Sequence, residues 1–350
     1  MSMSTDEEIL IGRQGPVVHV TLNRPAALNA LSHNMIQRLL TGLDAWEKDT
    51  SVQAILFAGA GGKAFCAGGD IKSTWVNRRA VVANDRYFHD EYNLNRRLFH
   101  YPKTLIALMD GITMGGGYGV AGYCDYKIAT ENTRWAMPET GIGFFPDIGC
   151  SYELTRMPGN LGVCLALTGM TAGPEDACYT GVATHYMDAE TLPALVRGLS
   201  AGQDAGAVIS RYNKAPAIAG PIAQHEEVIG RCFSHADVPG IIAALAAEPS
   251  AWAQSVLALL RTRSPLSLCV TYERMKRARG QDFDRVIEDD YVISRHFMRG
   301  DEFFEGVRAM LVDKDKNPRW QPDALDKVSE TAVLRHFEPL PGRLNEGFKG

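Results

Sequence analysis

Thr104-Leu-Ile-Ala-Leu-Met-Asp-Gly-Ile-Thr-Met-Gly-Gly-Gly-Tyr-Gly-Val-Ala-Gly122 decides the fold class. Thr104 to Met109 is a short apolar run of the kind that forms a buried strand. Met114 to Gly122 follows as a glycine-dense helix start, and Tyr126 to Ala129 reads as the next strand. The same alternation runs upstream. Val17 to Asn23 alternates apolar and polar residues, as a strand does. Ser32 then caps a helix whose Ile36, Leu39, Leu40, Leu43 and Trp46 recur at helical spacing. Val52 to Phe57 is a more buried strand that ends in Ala58-Gly-Ala-Gly-Gly62. Strands alternating with helices argue an α/β fold with mostly parallel pairing.

Two glycine segments on this frame can do chemistry. In Lys63-Ala-Phe-Cys-Ala-Gly-Gly-Asp-Ile71, the small residues Ala67, Gly68 and Gly69 let a ligand approach the backbone. Met114-Gly-Gly-Gly-Tyr-Gly119 opens a helix, and bare N–H groups at a helix start favour anions, including a developing oxyanion. One N–H from each segment would make a two-donor oxyanion hole. The same glycines also permit tight turns and close helix packing, and the residues alone leave both readings open. Gly117-Tyr-Gly-Val-Ala-Gly122 further matches the dinucleotide fingerprint, with Glu139 at the spacing of its ribose-binding acid. That acid belongs at the end of a strand, however, and Glu139 follows Met-Pro. A nicotinamide or flavin enzyme is therefore disfavoured.

Met137-Pro-Glu-Thr-Gly-Ile-Gly-Phe-Phe-Pro-Asp-Ile-Gly149 sets Glu139 and Asp147 each directly after a proline, among glycines and large apolar residues. Apolar neighbours raise a carboxyl pKa, and two carboxyls in different surroundings take different roles. Ile142, Phe144 and Phe145 are expected to raise Glu139. If Pro146-Asp147 opens a helix, its dipole keeps Asp147 ionised. A plainer reading is that both acids merely begin helices.

The totals exclude several classes. The 350 residues are 45% apolar and 22% charged, with a net charge of −5, which makes no electrostatic case for nucleic acid. Apolar runs are too short for a membrane span. Met1 to Glu8 is acidic where a signal or transit peptide is basic. Seven cysteines without a Cys-x-x-Cys pair suggest buried thiols in a reducing compartment, so a cytoplasmic location is expected. No Gly-x-Ser-x-Gly elbow, His-Glu-x-x-His pair or Walker sequence occurs, so no metal and no cofactor is expected. Beyond about residue 185 helical patterns dominate: Leu192 to Leu199, Val238 to Ala247, Trp252 to Leu260, Asp284 to Phe297 and Asp301 to Leu311. Ala201 to Gln224, rich in Ala, Gly and Pro, reads as a loop or hinge. The expected division is a catalytic core over residues 10–200 and a mainly helical region over 201–350.

Val18-His-Val-Thr-Leu-Asn-Arg-Pro25 with Asn29-Ala-Leu31, Ala64-Phe-Cys-Ala-Gly-Gly-Asp70 and Gly111-Ile-Thr-Met-Gly-Gly-Gly117, in that order and separation, resemble the crotonase (enoyl-CoA hydratase/isomerase) superfamily. The resemblance implies a core of repeated ββα units, and a helical region that covers the site or packs on a second copy of the chain. It implies that the Ala67 and Gly116 N–H groups grip a thioester carbonyl, and that Gly68, Gly69 and Asp70 border the coenzyme A. Coenzyme A is then part of the substrate. Hydratases of this superfamily place a catalytic Glu three residues after the oxyanion glycine and another about twenty residues later. Here the first position is Gly119 and the second is Glu139.

The sequence looks more like the branch that hydrolyses 3-hydroxyisobutyryl-CoA. Met137 to Asp147, His89-Asp-Glu-Tyr-Asn-Leu-Asn95, Leu165-Ala-Leu-Thr-Gly169 and Met298 to Ala309 carry that likeness. By resemblance, Glu139 and Asp147 are catalytic and Glu91 binds substrate, although a Glu in a patterned helix ordinarily faces solvent. The expected activity is hydrolysis of a short 3-hydroxyacyl-CoA, with 3-hydroxypropionyl-CoA as a further substrate and valine catabolism as the setting. The alternatives are a hydratase or isomerase working with a single Glu, and a non-catalytic acyl-CoA-binding protein.

Overall fold

The computed structural model describes residues 7–216 and 218–348. Most of the acidic N-terminal stretch lies outside them. Among the described residues, nine strands form two sheets. Ile9–Gln14 (β1), Val17–Leu22 (β2), Ala54–Gly59 (β3), Thr104–Met109 (β5), Tyr126–Ala129 (β7) and His185–Tyr186 (β9) make a six-stranded sheet in the order β1-β2-β3-β5-β7-β9. Ala64–Cys66 (β4), Ile112–Met114 (β6) and Arg134–Ala136 (β8) make a three-stranded one. The β1–β2 hairpin is antiparallel, and each following pair in the larger sheet is parallel. The expected α/β class and parallel pairing are therefore present.

The chain repeats one pattern three times: a strand in the large sheet, a strand in the small sheet, then a helical segment. β3 and β4 precede helix Ile71–Val76, β5 and β6 precede helix Gly116–Ala121, and β7 and β8 precede the 3-10 turn Glu139–Ile142. In each repeat the segment of chemical interest directly follows the strand of the small sheet. The helix expected after Ser32 spans His33–Lys48, and the Ser32 side chain accepts from the Met35 N–H as the cap.

The contacts separate two compact units that are discontinuous in sequence. The first comprises Met1–Gly69, Leu94–Trp135 and Ala172–Gly220; the second comprises Asp70–Asn93, Ala136–Thr171 and Pro221–Gly350. The division is thus not a single boundary near residue 200, because two inner segments of the expected core pack with the C-terminal helices. In the first unit, Val17, Leu56, Ile106, Leu108 and Ile128 cover one sheet face. Leu195 and Leu199 of helix Leu192–Ser200, and Val208 and Ile209 of helix Ala205–Tyr212, close over it. The second helix lies where a loop was expected. Its Asp204 side chain caps the Ala207 N–H, and two apolar residues on one face are enough to dock a short Ala- and Gly-rich helix on a sheet. In the second unit, helices Val238–Ala247, Ala251–Leu260, Pro265–Ala278 and Phe283–Phe297 dominate.

Gly117 shows close packing at work. A Cβ there would lie 2.2 Å from the Cys66 carbonyl oxygen and 2.7 Å from its Cβ, so helix Gly116–Ala121 touches β4 through a bare backbone. Gly117→Ala is expected to cost about 1–3 kcal/mol of stability by overpacking. A thermal melt lower by several degrees checks this.

Candidate active site

The second unit carries the carboxylates. Glu139 opens the 3-10 turn Glu139–Ile142, and that turn is pinned on several sides. Thr140 Oγ1 donates to the Leu167 carbonyl at 3.0 Å, and Ser264 N–H donates to the Thr140 carbonyl at 3.1 Å. Gly143 (φ +70°) sits so close to the Glu302 carbonyl that a Cβ would lie 2.3 Å from it. Phe88, Phe144, Phe145, Phe297 and Phe303 pack around the same segment, with Phe144 about 5 Å from three of the other rings. This aromatic cluster supplies the apolar surroundings in which a carboxylate loses its hydration.

Glu91, Glu139 and Asp147 are all buried there. The Tyr92 hydroxyl donates to Asp147 Oδ2 at 2.6 Å. Glu91 Oε1 and Glu139 Oε2 have no hydrogen-bond partner among the described residues. Such orphaned oxygens are rare in a protein interior and point to a ligand or a proton. Burial, then the charge of Asp147, pushes Glu91 and Glu139 well above the ordinary carboxylate range. Burial also raises Asp147 to about 7, opposed by the Tyr92 hydrogen bond and assisted by the charge of Asp290.

The expected contrast between an ionised Asp147 and a raised Glu139 is therefore corrected: both are raised. The physical reason is position. Asp147 does not open a helix; it precedes Cys150–Leu154 by three residues, and Gly149 is that helix's N-cap. Desolvation acts on it without a helix dipole to offset the cost. Tyr92 and Asp290 carried no role in the sequence reading, yet both bear on Asp147 directly.

The first unit carries the backbone donors. β4 and β6 pair in parallel, so the segments that follow them, Ala67–Gly69 and Gly115–Gly116, run side by side; a Cβ on Gly68 (φ +125°) would lie 3.6 Å from the Met114 carbonyl. Gly116 is the first residue of its helix, and neither its N–H nor that of Gly69 meets an acceptor among the described residues. Ala67 is a correction. Its N–H donates to the Leu28 carbonyl at 3.0 Å and is spent. The loop Arg24–Leu31 causes this: Leu28 and Asn29 take positive φ, the Asn29 amide holds the Ala60 and Ala64 carbonyls, and the loop pairs along the Ala67–Gly69 segment. The N–H groups of Gly68 and Gly69, which follow Ala67, meet no acceptor among the described residues. The Asp70 carboxylate accepts from the Ser73 N–H at 3.2 Å and caps helix Ile71–Val76. Gly119 lies within helix Gly116–Ala121, its carbonyl accepting from the Asn95 amide at 3.0 Å.

Residues 17–337 match the enoyl-CoA hydratase/isomerase family. The chain belongs to that family. Among its curated relatives, 3-hydroxyisobutyryl-CoA hydrolase of Xenopus tropicalis is 39% identical over 96% of this chain and 90% of its own length. The human 3-hydroxyisobutyryl-CoA hydrolase is 39% identical over 97% of this chain and 91% of its own. Both are named as mitochondrial. Among solved structures of the family, a carnitinyl-CoA dehydratase from Mycobacterium thermoresistibile is 38% identical. It superposes with a TM-score of 0.93 over 99% of this chain and 100% of its own. The α/β architecture of repeated ββα units is thus the fold of this family. Among the described residues no helix is long and apolar enough to cross a membrane, and no group of His, Cys, Asp or Glu is placed to hold a metal ion.

Proposed function

We propose that this chain hydrolyses 3-hydroxyisobutyryl-CoA to 3-hydroxyisobutyrate and free coenzyme A. The observation that carries the reading is the unpartnered Glu139 carboxylate oxygen, set in aromatic surroundings beside a buried Asp147 that Tyr92 holds. The near full-length likeness to hydrolases of that name supports the substrate.

Hydrolysis breaks the bond between the carbonyl carbon and sulfur, and adds water across it. Glu139 either attacks the carbonyl itself, giving a mixed anhydride that water then opens, or takes a proton from the attacking water; both need its ionised form. The Gly116 N–H and an N–H of the Gly68–Gly69 segment are the donors suited to a tetrahedral oxyanion, each worth roughly 3–4 kcal/mol where such donors have been removed. The departing thiolate needs a proton, which a buried carboxyl held in its neutral form can give. Asp147 binds the substrate's 3-hydroxyl or orients the water. Glu91, whose carboxyl burial pushes well above the ordinary carboxylate range, is suited to donate a hydrogen bond to substrate in its neutral form.

Tyr92→Phe tests the Asp147 assignment. The phenol hydrogen bond favours the ionised carboxylate, so its loss raises the Asp147 pKa further. A charge-assisted bond of about 1.5–3 kcal/mol corresponds to roughly one to two pH units. The acidic limb of the pH–rate profile is expected to move to higher pH by that order.

A second reading, addition or removal of water at a carbon–carbon double bond, is favoured by the name of the dehydratase whose structure superposes so closely. Gly119 weighs against it, since the position where hydratases carry a second Glu has no side chain to move a proton. Thiol release from 3-hydroxyisobutyryl-CoA and 3-hydroxypropionyl-CoA, run beside hydration of crotonyl-CoA, separates the two. Release without hydration is the expected result. We place the reaction in valine catabolism by resemblance, and the protein in a reducing compartment on the strength of seven free thiols. The cytoplasm fits that chemistry, while the relatives' names place them in mitochondria.

A further inference from the structure

The turn that presents Asp147 runs against its own backbone preference. Ile148 has φ +57° and Gly149 has φ +81°. A β-branched residue at positive φ is a steric outlier, and such a residue persists only where its surroundings over-determine it. Asp290, wholly buried midway along helix Phe283–Phe297, supplies that restraint. Its Oδ2 accepts the Gly149 N–H at 2.7 Å, and its Oδ1 accepts Arg274 Nε at 2.7 Å.

Arg274, 1% exposed on helix Pro265–Ala278, donates through Nη2 to the Val286 carbonyl at 2.6 Å and lies 3.6 Å from Asp289. Apolar residues of similar volume would pack these helices as well or better than a buried ion pair. What apolar residues could not do is hold one amide of a strained turn two residues beyond the carboxylate. We propose that Arg274 and Asp290 are the positioning pair of this site, clamping the turn Asp147–Gly149 and placing an Arg274-paired carboxylate behind Asp147.

The groups that face Asp147 are few. Glu91 and Tyr92 come from helix Val81–Phe99, Glu139 from its 3-10 turn, and Asp290 from helix Phe283–Phe297 with Arg274 and Asp289 behind it; the Cys150 thiol begins the following helix. Of these, Asp290 raises Asp147 through its charge. Removing that charge therefore lowers the Asp147 pKa, the opposite direction to Tyr92→Phe.

The test is Asp290→Asn, assayed as thiol release from 3-hydroxyisobutyryl-CoA and so resting on the proposed hydrolase activity. Deuterium uptake over residues 145–152 is followed by mass spectrometry as an arm independent of that activity. Asp85→Asn is the control. Asp85 pairs with Arg295 and Arg299 in the same unit and has no place in the chemistry, so its variant loses thermal stability with kcat and pH profile unchanged. For Asp290→Asn, kcat is expected to fall at least tenfold with KM held within threefold. The acidic limb should move to lower pH by half a unit or more, and residues 145–152 should exchange faster than in Asp85→Asn.

A folded Asp290→Asn variant with kcat within twofold of the parent and an unmoved limb overturns the proposal. If that variant does not fold, Arg274→Lys replaces it. The charge is kept and the guanidinium fork is lost, so a threefold or greater fall in kcat with faster exchange and an unmoved limb is expected. An unchanged kcat and exchange rate overturn the proposal. If the parent itself releases no thiol, the hydrolase reading fails, and the exchange comparison alone decides the positioning role.

Discussion

Glu139→Gln is expected to reduce thiol release from 3-hydroxyisobutyryl-CoA by about 10³-fold or more, while the folded chain becomes more stable at pH 8. The glutamine fills the same volume in the pinned turn but can neither attack a carbonyl nor accept a proton, and losing such a group commonly costs 10²–10⁴-fold even where it acts only as a base. The stability gain follows from linkage. Burial raises the Glu139 pKa in the folded chain above its ordinary 4.5. Folding is therefore favoured fully below about 4.5, and that contribution is lost as the pH rises through the folded-state value. The parent therefore loses stability as the pH rises above about 4.5, whereas glutamine never titrates. Melting temperatures of parent and variant at pH 5 and pH 8, beside turnover, check both halves. A variant that is less active and also less stable at pH 8 would mean the side chain is structural.

Asp147→Asn is expected to behave in the same sense with a bounded magnitude. A carboxyl at 3.8 in the unfolded chain and about 7 in the folded one loses roughly 4 kcal/mol of folding stability between those pH values, at about 1.4 kcal/mol per pH unit. The asparagine carbonyl still accepts the Tyr92 hydroxyl, so the variant should be more stable at pH 8 by up to about 4 kcal/mol. The full figure is an upper bound because its amide N–H groups need partners. Turnover should fall by about 10²-fold or more, since the amide cannot orient water or the substrate hydroxyl as an anion does. Denaturation at pH 5 and pH 8 together with kcat measures this. A variant less stable than the parent at pH 8 would show that the folded chain stabilises the ionised Asp147 carboxylate instead of penalising it.

These trade-offs explain why some of the molecule was legible in its sequence and some was not. Strands β2, β5 and β7, and the helix capped by Ser32, were readable because periodicity and capping are local. Glu139 was readable because proline and phenylalanine beside a carboxyl announce an unusual environment. Glu91 was not, on pattern alone, because helix Val81–Phe99 is buried on more than one face. Asp290 and Arg274 carried a signal that went unread: each is a charge on an apolar stripe. Asp290 shares its stripe with Phe283, Val286, Ile287, Ser294 and Phe297, all buried, and Arg274 shares its own with Val270, Thr271 and Ala278. A charge at such a position has a buried partner or a task, and usually both. Ala67 failed for a different reason. Which N–H of a small-residue run remains free depends on the loop paired beside it, here Arg24–Leu31, and that pairing is tertiary.

Turnover of 3-hydroxyisobutyryl-CoA in ¹⁸O-labelled water, with mass analysis of both products, shows whether this buried carboxylate cluster serves thioester hydrolysis. Free coenzyme A and 3-hydroxyisobutyrate carrying ¹⁸O in its carboxyl group are expected, both reduced by about 10³-fold or more in Glu139→Gln. A thioester recovered intact, or dehydrated with the coenzyme still attached, would contradict that role.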